Sequence, residues 1–183
     1  MTGLLISDEL KNLEQRFNIE LGHSIRPVPD EQADYYPQFE QAVRFEAAQM
    51  SSHYELFYCL EKSIRKLISE TLFENAGANW WDCGKVPPAI VKDVSDRIQR
   101  EIDSGVTRRS DDPIDYTNFG ELSVIITSNW DLFGTIFNSR RAVEKVMNSL
   151  NVLRGPIAHC SPMSEDEVVR LRLTVKDWFR MIG

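Results

Sequence analysis

The sequence contains few of the residues that build disulfide or metal-binding scaffolds. Only three cysteines and three histidines occur among its 183 residues. Cys59, Cys83 and Cys160 form no Cys-x-x-Cys pair and no Cys/His cluster with the spacing of zinc ligands. We therefore expect a reducing, cytoplasmic environment, with neither a disulfide framework nor a zinc site.

Long apolar segments are also missing. No apolar run approaches the roughly 18 residues that a membrane-spanning helix requires. The first residues, MTGLLISDELKNLEQRF, become acidic and amphipathic at once, which is unlike a signal peptide. We expect no membrane association.

Basic residues are in the minority. Lys and Arg number 21 against 28 Asp and Glu, so the formal net charge is −7. This balance excludes a protein that coats nucleic acid indiscriminately, because such binding depends on many phosphate contacts. A local basic site is still compatible with it. Arg140 and Arg141 begin a predicted helix, where the helix dipole disfavours cations, and are therefore candidate contacts for RNA or an acidic partner, or part of a solvated face.

The composition is otherwise that of a globular chain, with 42% hydrophobic and 27% charged residues. Apolar periodicity predicts a short amphipathic helix over residues 4–21, followed by a proline-containing linker. We therefore divide the chain into an N-terminal helical arm and linker, residues 1–50, and a helical domain, residues 51–183.

Helical periodicity dominates the predicted domain. A long helix begins near residue 38 and continues to about 73, with a break near Ser52 if Ser52 and Glu55 form a capping box. Residues 119–137 contain β-branched side chains but keep helical spacing, so we interpret them as a helix rather than a strand. Three other helices are bounded by signals at Pro87 and Gly105, at Ser139, and at Ser164. The sequence thus predicts an all-α bundle.

The segment LNVLRGPIAHCSP, residues 150–162, combines an arginine and a histidine. Gly155 and Pro156 are expected to interrupt or kink the helix between Arg154 and His159. In an unbroken helix these residues would point roughly 140° apart, so a break would let them line one cleft. A guanidinium can bind a phosphate and an imidazole can transfer a proton near neutral pH. The pair suits phosphoryl transfer on RNA, although an Arg-x4-His spacing also arises by chance around structural histidines.

The longer segment LNVLRGPIAHCSPMSEDEVVRLRLTVKDWFRMI resembles the C-terminal part of a HEPN domain. HEPN is a helical superfamily with many ribonucleases. The segment is most similar to the subgroup of the eukaryotic nuclear mRNA-quality-control endonuclease and its prokaryotic relatives. The resemblance extends upstream through YELFYCLEKSIRKLISETLF, NWWDCGKVPPAIV and DYTNFGELSVIITSNWDLF, and so covers residues from about 50 to 183.

This resemblance implies an HEPN-like helical bundle, here with an N-terminal helical extension, that cleaves RNA without a metal or other cofactor. It implies a homodimer whose two motifs face each other, with Arg154 binding the phosphate and His159 transferring protons. The products would carry a 2′,3′-cyclic phosphate and a 5′-hydroxyl. Many relatives are toxins or anti-phage defence effectors, which implies an antitoxin or regulatory protein as a further partner.

The resemblance also bears on residues around the motif. The family's first helix usually carries an acidic and a basic residue at the cleft, which here are Glu61 and Arg65; the alternative is a solvated ion pair. The position after the arginine is usually polar, whereas here it is Gly155. Asn151, one turn earlier, is the candidate to supply a polar group to the substrate.

Two alternatives to a ribonuclease remain open. One is a catalytically silent HEPN module that dimerises and binds a nucleotide, RNA or a protein, and Gly155 favours it. The other is a generic helical adaptor.

Two other features have structural and functional interpretations: Trp80 and Trp81 either stack a base or pack onto the bundle, and Cys160 is either reactive or a buried small hydrophobe.

Overall fold

The computed structural model describes residues 38–182. The predicted helix over residues 4–21 lies outside these residues. From Phe45 onward the chain forms one compact unit. The proposed division at residue 50 stays a prediction.

The described part of the chain is helical. It has six α-helices: α1 (Gln41–Ala76), α2 (Pro88–Asp103), α3 (Phe119–Ser128), α4 (Trp130–Phe133), α5 (Arg140–Ala158) and α6 (Glu165–Arg180). Two short 3₁₀ helices, Gly77–Asn79 and Pro113–Tyr116, lie in the connections. Between residues 38 and 182 there is no strand, and the one β-type contact is an isolated bridge between Phe137 and Ile182. The predicted all-α fold is confirmed.

The core includes α5, which packs against both α3 and α6. Its buried residues recur at helical spacing: Val143, Met147, Leu150 and Leu153. A second buried row comes from residues 57–72 of α1: Phe57, Leu60, Ile64, Ile68 and Leu72. Because each row forms one face of its helix, the opposite faces remain free to carry polar side chains.

The two adjacent tryptophans pack onto the bundle. Trp81 is buried in the core, and Trp80 is partly buried against it. Their rings meet edge to face with centroids 5.4 Å apart. Of the two interpretations of Trp80 and Trp81, packing onto the bundle therefore describes these side chains.

Two features of α1 differ from the prediction. The helix is not broken at Ser52, because its hydroxyl group donates to the Gln49 carbonyl within the helix, 3.1 Å away, rather than capping a new helix. The apolar periodicity from which the helix is predicted also extends beyond the buried face. Phe39, Val43 and Tyr54 are exposed, and continuous burial begins at Phe57.

The predicted helix over residues 119–137 is interrupted at Asn129. The Asn129 side chain is buried and donates at 2.8 Å both to the Ile125 carbonyl and to the Lys85 carbonyl of a distant loop. Its backbone leaves helical geometry at φ −114° and ψ 38°. A side-chain bond to another segment thus ends α3 where periodicity alone predicts continuation.

The local signals at other helix ends are confirmed. The Ser139 and Ser164 hydroxyl groups each accept a hydrogen bond from the backbone N–H three residues later. Pro88 occupies the first turn of α2, and Gly105 follows that helix at φ +69°, a conformation that suits glycine. These ends are encoded by neighbouring residues, which explains why the sequence predicts them.

An ion pair between Arg97 of α2 and Glu121 of α3 fixes the segment between these helices. The Arg97 guanidinium donates to both Glu121 carboxylate oxygens, at 2.8 and 2.7 Å, and to the Tyr116 carbonyl at 2.9 Å. Glu121 also accepts from the Asn118 backbone N–H at 2.6 Å as part of a capping box. Burial alone would raise the pKa of Glu121, but the bonds from Arg97 and Asn118 lower it below its ordinary value.

We predict that Glu121→Gln lowers the free energy of unfolding by about 2 kcal/mol at neutral pH, because charge-assisted bonds to a half-buried arginine are lost. Since the folded-state pKa of Glu121 is depressed, its contribution is present above the unfolded pKa and disappears as pH falls through the folded value. Urea unfolding at pH 7 and in acid measures both effects. Glu144→Gln, which removes an exposed ion pair with Arg140, is the control; an equal loss there would contradict the assignment.

Candidate active site

An open cavity of about 390 Å³ lies between α1, the α2–α3 connection and the C-terminal end of α5. Its charged lining comprises four cationic side chains, Lys62, Arg65, Arg109 and Arg154, and two anionic ones, Glu61 and Asp115. Its aromatic lining consists of Tyr54, Phe57 and Tyr58. A chain whose net charge is −7 therefore presents a cavity with an excess of positive charge.

Arg65 is buried at the base of this cavity, with 8% of its surface exposed. Its guanidinium donates to the Ile114 carbonyl at 3.3 Å and to the Thr117 carbonyl at 2.9 Å. It also pairs with Glu61, one turn earlier on α1. Of the two alternatives for this pair, the solvated surface pair is wrong, because the bonds to the α2–α3 connection draw Arg65 into the interior.

Glu61 links Arg65 to Arg154. One carboxylate oxygen accepts from Arg65, and the other accepts from Nε of Arg154 at 3.3 Å. The Glu61 side chain is 16% exposed, whereas that of Arg154 is 40% exposed. The guanidinium of Arg154 is thus held by one edge while part of it remains open to the cavity.

A second set of paired charges lines the same cavity. Asp115 accepts from Lys62 at 3.3 Å and lies 4.0 Å from Nε of Arg65. Burial would raise the pKa of Asp115, but hydrogen bonds from Ser110 and Lys62 lower it, so its carboxylate is ionised at neutral pH. Arg109 pairs with Glu101, whose pKa is lowered chiefly by that hydrogen bond.

The predicted break between Arg154 and His159 is wrong, because α5 continues through Gly155 and Pro156 to Ala158. Proline disfavours a helical residue before it partly through a clash with that residue's Cβ, which Gly155 lacks. In a continuous helix, positions five residues apart are separated by roughly 140° around the axis. Arg154 lines the cavity, whereas His159 is exposed at the helix end and is not among the lining residues.

A tight turn follows α5 directly after His159. The His159 N–H donates to the Gly155 carbonyl at 3.0 Å, and the Ser161 N–H donates to the Pro156 carbonyl at 2.9 Å. Cys160 between them has φ 53°, the left-handed conformation typical of the residue after a helix. Cys160 is exposed, so the default interpretation as a buried small hydrophobe is wrong; the turn directs it outward.

The remaining predicted substrate contacts lie outside the cavity. Asn151 is exposed on α5 and does not line it. Arg140 pairs with Glu144 at 3.1 Å, and Arg141 is exposed beside it. At a rise of about 1.5 Å per residue, these arginines begin α5 roughly 20 Å from Arg154.

Several cavity residues were missed by sequence reasoning. Tyr58 and Lys62 share a face of α1 with Glu61 and Arg65, so helical spacing could have identified them. Arg109 and Asp115 lie in an irregular connection whose path no periodic pattern indicates. In the sequence, only the charge of Arg109 and Asp115 could have suggested a role at this site.

Two further properties concern the described part of the chain. No helix there is both long and apolar enough to cross a membrane. Within residues 38–182, no group of three or more His, Cys, Asp or Glu side chains is arranged to hold a metal ion.

The described residues form the all-helical bundle expected of an HEPN-type domain. The model of the Swt1-like HEPN family matches residues 55–183, and the chain belongs to this family. The resemblance found in the sequence is therefore confirmed. No curated protein and no solved structure matches the chain.

We predict that Cys160→Gly raises the free energy of unfolding by about 0.5–1 kcal/mol, because glycine adopts the left-handed conformation without a Cβ clash. Chemical denaturation of both proteins under reducing conditions measures this difference. Cys160→Ala is the matched control, because it removes the thiol but retains Cβ. An equal gain in the alanine variant would show that the thiol, not the backbone conformation, is responsible.

Proposed function

We propose that the chain is a metal-independent endoribonuclease of the HEPN type that acts as a homodimer. The observation that carries the proposal is the position of Arg154, part of the family's Arg-His motif, in a basic cavity where Glu61 orients its guanidinium. Arginine matches phosphate geometry with paired N–H donors, and a pre-oriented donor needs little rearrangement when charge develops.

The reaction uses a nucleophile within the substrate. The RNA 2′-hydroxyl attacks the adjacent phosphorus, its proton goes to a base, and the bond from phosphorus to the 5′-oxygen breaks. The leaving 5′-oxygen takes up a proton, so the products are a 2′,3′-cyclic phosphate and a 5′-hydroxyl. His159 is proposed to transfer protons, and Arg154 to stabilise the charge on the phosphoryl oxygens.

The continuous helix α5 supports the requirement for two chains. Within one chain, Arg154 lines the cavity and His159 does not, which supports a site completed by a histidine from a second copy. An exposed His159 is instead available to a second copy. We propose that two copies place their motifs face to face, each adding its histidine to a shared cleft.

The exposed residues along α5 are proposed to contact RNA outside the cavity. Asn151 lies one turn before Arg154, and Arg140 and Arg141 lie at the far end of the helix. Their distance from Arg154 assigns the two arginines to phosphates that flank the cleavage position rather than to the reacting phosphate. Because exposed cations contribute through counterion release, their effect depends on salt.

A second candidate function is a catalytically silent HEPN module that dimerises and binds a nucleotide, RNA or a protein partner. Two observations favour it. Gly155 offers no side-chain donor at a position that is usually polar in active relatives, and His159 lies outside the cavity. Such a module would use the same cavity for binding but would leave RNA intact.

Cleavage of single-stranded and structured RNAs in EDTA tests the proposal. We expect products with cyclic-phosphate ends, and a rate loss of at least about 100-fold in both Arg154→Ala and His159→Ala. Arg172→Ala, an exposed arginine of α6, and His53→Ala are the controls and should remain active. Folding and dimerisation of every variant are checked by circular dichroism and sedimentation.

The outcomes separate the two candidates. A folded dimer that cleaves no RNA contradicts the ribonuclease and favours the silent module. Cleavage that survives both substitutions, or that disappears in EDTA, contradicts the assigned site.

We further propose that the protein is a toxin or anti-phage effector restrained by an antitoxin or regulatory protein. Its expression alone in a bacterial host should then arrest growth, because uncontrolled RNA cleavage depletes transcripts. His159→Ala, expressed to the same level, should not. Growth curves with matched immunoblots measure this, and equal toxicity of the two proteins would contradict the role.

A further inference from the structure

Two exposed tyrosines and a lysine form a row along α1 that leads into the cavity. Tyr54, Tyr58 and Lys62 are spaced four residues apart, so they lie on one face of the helix about 6 Å apart along its axis. The tyrosine ring centroids are 6.0 Å apart with an interplanar angle of 33°. We call these three residues the Tyr-Tyr-Lys row.

The tyrosines of this row do not serve the core. Tyr54 and Tyr58 are 60% and 54% exposed, whereas Phe57 between them is 3% exposed. The same helix thus places one aromatic residue in the interior and turns two towards the cavity. Exposed neighbouring aromatic rings that line a cavity offer an apolar surface on which a ligand can stack.

The positive end of the row is open to a ligand. The side chains of Lys62 and Arg109 are 54% and 56% exposed, although each is oriented by one carboxylate, from Asp115 and Glu101 respectively. An ammonium group has three donors and a guanidinium five, so each keeps donors for a second anion. Arg109 is further supported by the Tyr116 ring, 4.8 Å from its guanidinium carbon.

We propose that the Tyr-Tyr-Lys row and Arg109 bind unpaired nucleotides of single-stranded RNA beside the phosphate held at Arg154. Bases stack on Tyr54 and Tyr58, and their phosphates contact Lys62 and Arg109. The inference rests on the proposed function and adds the substrate class to it. The site selects single strands over duplexes.

The aromatic rings are the feature that distinguishes single-stranded from duplex RNA. Cations alone would attract the phosphates of either form. In a duplex, however, the bases are paired and stacked on one another, so their faces are closed to a protein side chain. In a single strand, a base can stack on an aromatic ring regardless of its sequence. The expected recognition is therefore selective for strandedness and tolerant of sequence.

Binding can be measured without cleavage by using a 2′-O-methyl oligonucleotide, in which the nucleophile is blocked. Fluorescence anisotropy compares a labelled single strand of about eight nucleotides with its duplex. We expect the single strand to bind at least about 10-fold more tightly, and Tyr58→Leu to weaken that binding by about 10-fold. Tyr58→Phe, which keeps the ring, should bind like the unsubstituted protein. Phe179→Leu is the matched control, because Phe179 is 55% exposed but lies outside the cavity.

The phosphate contact has its own measurement. Lys62→Gln should reduce the slope of log affinity against log salt by about 0.7, the value for one phosphate contact on a single strand. Lys66→Gln, which removes an exposed lysine one turn later on the same helix and outside the cavity, should leave the slope unchanged.

Equal affinity for single strand and duplex would overturn the proposal, as would unchanged binding by Tyr58→Leu. These results are distinguishable from failure of the ribonuclease. Selective binding by a protein that cleaves no RNA keeps the nucleotide site and rejects catalysis. If the protein cleaves RNA but Tyr58→Leu binds the single strand as tightly as the unsubstituted protein, the ribonuclease is supported and the nucleotide site is rejected.

Discussion

The candidate site depends on one buried guanidinium, that of Arg65. It joins α1 to the α2–α3 connection through the carbonyls of Ile114 and Thr117, and it fixes Glu61, which in turn orients Arg154. Removing Arg65 would leave two carbonyls without this donor and a carboxylate without its nearest counter-charge. A residue at the base of the cavity thus helps to fix the position of the arginine that lines it, Arg154.

Clustering four cations in a small cavity is costly unless counter-charges lie nearby. Glu61 and Asp115 lie within the cavity, and Glu101 holds Arg109 from its edge. Each carboxylate lowers the repulsion between cations while leaving some of their donors open. Because the formal net charge of the chain is −7, this local excess of cations contrasts with the charge of the chain as a whole.

The sequence predicted those features that neighbouring residues determine. The helix ends at Ser139, Ser164 and Gly105 follow from local capping chemistry, and the family resemblance was carried by the Arg154 segment itself. Distant contacts were not predictable. Asn129 ends α3 because its side-chain amide donates a hydrogen bond to a carbonyl of another loop. The pattern of a single sequence contains no information on such a contact.

The same distinction applies to the candidate site. The face shared by Glu61 and Arg65 follows from helical spacing, but the depth of Arg65 does not, since it is set by carbonyls 49 and 52 residues later in the chain. Arg109 reaches the cavity through an irregular connection. The expected break at Pro156 failed for a local reason, the missing Cβ of Gly155, which weakens the steric rule on which the expectation relied.

Pro156 has a consequence for how a ribonuclease of the proposed kind would be controlled. Without an N–H at this position, the last turn of α5 lacks one backbone bond, and His159 is followed by a turn with a strained residue at Cys160. Helix ends of this kind open more readily than helix interiors. Under the proposed function, the imidazole would become fixed only when a second chain docks. Ribonuclease activity would then rise steeply with the concentration of the protein. Below a threshold concentration, a cell could contain the protein without harm.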